Sequence, residues 1–242
     1  MAQPGKELLI VDDADQLARE AARRIIARIG TSARPAVCLT GGSSPARLYE
    51  LLAAAPLRDE IPWDRAHWFI GDERFVADDD PLSNIGMARR LFLDRCAPRA
   101  NVHPVATNSG DLEAAARAYE RDLRDFHGSD RLDPTQPLFD VVLLGVGPDG
   151  HVASLFPGAP QDDGDHWVMG VTKANVPPLV PRISLTRPAL ASCREMLFLV
   201  SGAAKRAIFA RLQQGEPLPA NQIHSGEMTT WLVDRDAAGD TP

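Results

Sequence analysis

The sequence predicts an α/β protein: a single domain over 1–242, with a mostly parallel sheet, helices on both faces, and a smaller loop-rich subdomain packed at one end. Three observations predict it. Short apolar runs alternate with longer amphipathic stretches, and strand, loop and helix in repetition imply parallel βαβ units. Glycines, small hydroxyls or charges follow four of the apolar runs, where such a sheet places ligands beyond its strand ends. The section 157–188 breaks the rhythm, holding six of the 20 prolines and little periodicity.

The elements follow in order. "LLIV" (8–11) reads as a strand. Residues 14–30 have helical spacing, with Leu17, Ala21, Ile25 and Ile29 on one face and Gly30 as a stop. "AVCLT" (36–40) is a buried strand, and 45–55 a helix with Pro45 at its first position, where a missing N–H is tolerated. "AHWFIGDE" (66–73) is a strand ending in polar residues. Residues 84–94 and 111–126 read as helices. "FDVVLLGVG" (139–147) has the clearest strand pattern in the chain. A short strand is expected near 166–172, a strand over 196–202, a helix over 203–215 closed by Gly215, and a last strand over 229–234. The ordered core is expected over 6–234, with a frayed tail at 235–242.

Composition narrows the function classes. Net charge is −7, which disfavours nucleic acid and anionic lipid surfaces. No apolar run reaches the roughly eighteen residues that span a bilayer, and no leader pattern opens the chain, so a cytoplasmic protein is expected. Cys38, Cys96 and Cys193 are far apart and odd in number, which suggests free thiols. The six histidines lack metal-ligand spacing, so no metal site is expected.

The loops after the strands carry the candidate chemistry. "GVGPDGHVASLFPG" (145–158) contains G-x-G-x-x-G, the pattern of a dinucleotide loop. Only "HVASLF" follows Gly150 before Pro157, too short for a crossover helix. No acidic residue ends the next strand, and Pro148 removes an N–H. The other reading is a tight turn at Gly145 and Gly147 that presents Asp149 and His151, a base with an orienting carboxylate. A turn aspartate and a cap histidine would leave the same letters. "LTGGSSP" (39–45) places Gly41, Gly42, Ser43 and Ser44 before a helix, either a phosphate seat or an ordinary cap by Ser44. "GDER" (71–74) puts Asp72 and Arg74 at a strand end. "SGAAK" (201–205) brings Lys205 into a first helical turn, against the helix dipole, as if to meet an anion. Arg182, in "PPLVPRISLT", is either an anion clamp or a surface arginine. The acidic run 78–80 reads as a solvated loop.

Taken together, "LTGGSSPARLYELL", "WFIGDERFV" with "SNIGMARRLF", "FDVVLLGVGPDGHVASLFPG", "PRISLT" and "SGAAKRAIF" resemble the 6-phosphogluconolactonase family, over about residues 8–234. The resemblance implies a modified Rossmann-like sheet and hydrolysis of 6-phospho-D-glucono-1,5-lactone without a cofactor. It implies His151 as general base, Asp149 as its support and Asp72 on sugar hydroxyls. The phosphate would rest on Gly42–Ser44 with Lys205, Arg182 and Arg74, and Gly145 and Gly147 would let the backbone approach the substrate. A monomer is the default expectation. Related glucosamine-6-phosphate deaminases carry a glutamate five residues after the histidine. Phe156 stands there in this chain, and an apolar ring cannot transfer a proton. The remaining alternatives are such a deaminase or isomerase, and a non-catalytic sugar-phosphate binder. The latter has no need of a base.

Overall fold

The computed structural model describes residues 5–159 and 164–239. The acidic pair Asp162 and Asp163 lies outside the described residues. The chain runs β1 (Gly5–Val11), α1 (Ala14–Thr31), β2 (Ala36–Leu39), α2 (Ala46–Leu52), β3 (His67–Ile70), β4 (Asp72–Arg74), α3 (Asn84–Ala88), α4 (Asp94–Cys96), β5 (Val102–His103), α5 (Leu112–His127) and β6 (Phe139–Gly145). It continues through β7 (Val168–Val171), β8 (Arg182–Leu185), α6 (Arg187–Ala191), β9 (Cys193–Val200), α7 (Arg206–Gln213), β10 (Met228–Asp234) and α8 (Arg235–Ala238).

Seven strands form one parallel sheet in the order β1-β10-β9-β6-β2-β3-β5. Its central strands β6, β2 and β3 are apolar almost throughout because both faces are covered, whereas the edge strand β1 exposes Lys6, Glu7 and Leu8. Along β6, Val141 and Leu143 face a core with Ile25 and Ile29 of α1 and Leu48 of α2. Val142 and Leu144 face the opposite core, with Leu123 of α5 and Phe209 of α7. Truncating a side chain such as Ile25, fully buried, to alanine would cost about 2–5 kcal/mol.

The loop-rich unit is built around a second, antiparallel sheet, β4-β8-β7. The apolar run 66–73 therefore belongs to two sheets, broken at Gly71. A Cβ there would come within 3.3 Å of the Leu39 carbonyl and 3.2 Å of the Cys38 sulfur. The expected helix 84–94 is a short α-helix that passes into a π-helical turn, Arg89–Leu93, and then α4. Helix 203–215 opens with a 3-10 turn, so Lys205 precedes α7 instead of sitting inside it. The expected frayed tail is corrected over 235–238. Asp234 caps α8 by accepting from the Ala237 N–H at 2.8 Å, and Ala237 and Ala238 are buried against the core.

The order of the large sheet places β2 beside β6, and their chain directions away from that line diverge. This is the switch point at which a parallel sheet opens a crevice. The loops after β2 and β6 meet there, and the Thr40 hydroxyl accepts from the Gly145 N–H at 3.4 Å.

Candidate active site

A polar cleft of about 260 Å³ lies over this switch point. All of the residues expected at the site line it, from Gly41 to Ser44, Asp72, Arg74, Gly145, Gly147, His151, Arg182 and Lys205, except Asp149, which sits behind His151.

The loop 145–156 is a device for holding one imidazole. The Gly147 N–H donates to the His151 carbonyl at 2.9 Å, and the Gly150 N–H to the Gly147 carbonyl at 3.0 Å. Gly150 has φ +86°, a left-handed turn that favours glycine. Gly147 is constrained differently. A Cβ built on it would stand 2.0 Å from Nδ1 and Cε1 of His151, so the ring packs directly against bare backbone. The loop carries no crossover helix after Gly150, which sets aside the dinucleotide reading of its glycines. His151 Nδ1 is 2.5 Å from Asp149 Oδ1, and the same oxygen accepts the His151 backbone N–H at 3.2 Å. With a carboxylate on Nδ1, the proton of the neutral ring resides there, and Nε2 carries the lone pair. Burial raises the Asp149 carboxyl, but the hydrogen bond and charge of His151 outweigh it and hold the group below the usual carboxylate range. Asp149 thus stays ionised. Phe156 is fully buried and packs on the imidazole, ring centroids 4.7 Å apart.

Three cations border the cleft. Arg182 is no surface arginine, being only 2% exposed in β8. Its Nη2 donates to the Pro178 carbonyl at 3.0 Å, and Nη1 lies 3.8 Å from Asp72 Oδ2. Burial lowers its pKa, the Asp72 charge opposes that shift, and an arginine stays protonated throughout. Arg74 Nη1 donates to the Leu82 carbonyl at 2.7 Å. The Nε groups of both arginines are buried without a hydrogen-bond partner among the described residues. Lys205 Nζ donates to the Val146 carbonyl at 2.6 Å, and burial lowers its pKa while the charge of Asp149 raises it.

Asp72 is more committed than a sugar-binding carboxylate need be. Its Oδ2 accepts from Ser154 Oγ at 2.7 Å, and Asn84 Nδ2 donates to its carbonyl at 2.7 Å. Of the two readings of Ser44, the cap is not made: Pro45 holds the cap position of α2 and no side chain closes it. The hydroxyl of Ser44 borders the cleft instead.

Sequence reasoning missed Thr40, Asn84, Val146, Ala153, Val176 and Pro177 on the cleft walls. Asn84 had a signal, since "SN" opens the helix after the "DER" strand. Thr40 and Val146 adjoin the glycines already singled out, and Ala153, Val176 and Pro177 are brought in by tertiary approach. Among the described residues, no group of three or more His, Cys, Asp or Glu side chains is placed to hold a metal ion. Among the same residues, no helix is long and apolar enough to cross a membrane. Cys38, Cys96 and Cys193 are free, and burial pushes the Cys38 and Cys193 thiols well up, which leaves them unreactive.

The family model described as glucosamine-6-phosphate isomerases/6-phosphogluconolactonase matches residues 12–231. This chain belongs to that family. A 6-phosphogluconolactonase of Mycobacterium tuberculosis is 39% identical over 96% of this chain and 97% of its own length. One from Synechocystis is 38% identical, covering 88% of each. Among solved structures, the 6-phosphogluconolactonase of Thermotoga maritima superimposes with a TM-score of 0.82 at 31% identity, over 95% of this chain and 99% of that one.

Proposed function

We propose that this chain hydrolyses 6-phospho-D-glucono-1,5-lactone to 6-phosphogluconate, the second step of the oxidative pentose phosphate pathway, with His151 as general base. The observation that carries the reading is the imidazole itself. It is clamped through Nδ1 by Asp149 and borders a cleft whose other walls hold three cations.

The chemistry follows from that geometry. Nε2 of His151 takes a proton from water as its oxygen attacks the lactone carbonyl. Asp149, ionised and in contact with Nδ1, stabilises the imidazolium that forms. The tetrahedral intermediate collapses by breaking the bond to the ring oxygen, which receives the proton back from Nε2. Water is consumed, one C–O bond forms and one breaks, and the new acid ionises in solution. A positioned base of this kind contributes about 10²–10⁴-fold.

The phosphate is assigned to the Gly42–Ser44 turn with Arg74, Arg182 and Lys205. The unmatched Nε donors of both arginines support an anionic ligand nearby. Gly145 and Gly147 keep the β6 end free of side chains, and Asp72 faces the sugar. Phe156, buried against His151, supplies no proton, which disfavours the deaminase chemistry found elsewhere in the family. The net charge of −7 disfavours a nucleic-acid partner.

The test is turnover of enzymatically generated 6-phosphogluconolactone by the purified protein, with and without chelator. Hydrolysis above the spontaneous rate and indifferent to chelator is expected. A rate equal to the blank would remove the assignment.

A further inference from the structure

Glu73 stands beside the cleft, is 1% exposed, and has no place in the chemistry above. A carboxylate this deep needs a reason, because desolvation disfavours its charge. Burial indeed pushes it up to about 7, against the hydrogen bonds that draw it down. Those bonds are directed. Oε1 accepts the backbone N–H of Arg74 at 2.8 Å and of Asn84 at 2.7 Å. Oε2 accepts the Ile85 N–H at 2.8 Å and is 3.4 Å from the Ser83 hydroxyl that donates to it. One side chain of β4 therefore holds the start of α3.

The segment it holds carries two walls of the cleft. The Leu82 carbonyl receives Arg74 Nη1 at 2.7 Å. The Asn84 amide donates to the Asp72 carbonyl at 2.7 Å and lies against Gly41, where a Cβ would come within 1.9 Å of Asn84 Oδ1. Gly41 lines the cleft and directly precedes the Gly42–Ser44 turn assigned to the phosphate. A short chain of contacts thus runs from Glu73 through Asn84 to that turn, and through Leu82 to Arg74. His151 lies on the loop after β6 and makes none of these bonds itself; the nearest link to its loop is Ser154, which donates to Oδ2 of Asp72 at 2.7 Å.

We infer that Glu73 is a positioning residue for anion binding: its carboxylate fixes the Leu82–Ile85 backbone, and through it sets Arg74, Asn84 and Gly41 for the phosphate without touching the substrate. The inference rests on the phosphate assignment of the previous subsection, but its test does not require turnover.

Glu73→Gln keeps the size and replaces one acceptor oxygen by an NH2 group. Whichever way the amide turns, that group meets a backbone N–H, donor against donor. The expected result is a rise of about tenfold in the Kd for 6-phosphogluconate and for inorganic phosphate by calorimetry. The lactone KM should rise in parallel, with kcat within about threefold. Asn84→Ala should weaken binding similarly, and the double variant should be no weaker than the worse single one, because both act on one chain of contacts. A residue that merely supports the fold would lower the fraction of active protein, reducing kcat at unchanged KM and Kd. That result, or fully additive losses in the double variant, overturns the inference. If the glutamine variant does not fold, Glu73→Asp carries the same measurements, since it keeps the carboxyl group and shortens the reach by one methylene. If the wild-type protein fails to hydrolyse the lactone, the reaction assignment falls, and the phosphate Kd still decides the role of Glu73.

Discussion

Among the described residues, two histidines hold Nδ1 against an aspartate at similar distances, and their surroundings differ. In the loop after β6, Asp149 holds His151 Nδ1 at 2.5 Å, and the ring borders the cleft. Near the amino end of β3, Asp122 of α5 holds His103 Nδ1 at 2.8 Å. There Nε2 of His103 is already taken, 3.0 Å from His67 Nδ1, and the ring stacks on Phe69 with centroids 4.1 Å apart. The first pair has a lone pair to offer to a substrate, while the second has spent its own on a neighbour inside an aromatic cluster. A carboxylate on one imidazole nitrogen is thus not enough for a base; the opposite nitrogen must meet an open site.

The comparison breaks first at His151. Replacing it by asparagine should lower kcat for lactone hydrolysis by about 10²–10⁴-fold while 6-phosphogluconate still binds. The equivalent change at His103 should leave turnover untouched. Near-normal hydrolysis by the His151 variant would dissolve the distinction between the two pairs. Asp149→Asn comes next, with a loss on the order of 10²-fold in kcat, because an amide no longer fixes the tautomer or supports the imidazolium. A kcat within a few-fold of wild type would show that His151 orients itself.

A smaller effect is expected where the cleft binds without reacting. Lys205→Ala should raise KM about tenfold and leave kcat nearly constant, because the phosphate is remote from the bond that breaks. Arg182→Ala should raise KM and also lower Tm, since Arg182 is buried between Pro178 and Asp72 whereas Lys205 is half exposed. Steady-state kinetics and a melting curve on both variants separate the two roles, and an unchanged KM in both would contradict the phosphate seat.

The same contrast explains how much the sequence discloses. His151 and Asp149 are legible because glycines bend the chain at the end of an unmistakable strand, and a turn of that kind is local. The strand runs and α1 are legible because burial on two faces leaves a plain apolar signature. The second pair is not legible, since His67, His103 and Asp122 lie on three elements that only the β3–β5 pairing and α5 packing bring together. Glu73 is hidden for the same reason: in the letters "GDER" it looks like half of a charged turn, and only the return of α3 supplies its donors. Glu195 is a third case, an acid inside β9 whose partners Arg24 and Arg28 come from α1. The split of 66–73 between two sheets escaped the pattern too, because apolar residues continue in phase up to Gly71.

The smallest predicted effect concerns stability and is confined to the second pair. Burial, then the charges of His103 and Arg34, push His67 down to about 4 from its ordinary 6.5, with Asp122 pulling slightly the other way. The folded protein therefore binds this proton less readily than the unfolded chain. Stability from the neutral ring is complete above about pH 6.5 and declines as the pH falls toward 4. His67→Gln removes a group that titrates on unfolding, so Tm should fall less between pH 7 and pH 5 in the variant than in the wild type. The lactone KM and kcat at pH 7.5 should stay the same in both, because no bond connects His67 to the cleft. A variant whose Tm tracks the wild type through that interval would mean that the His67 ring accepts its proton in the folded state after all, through a rearrangement of His103 and Asp122.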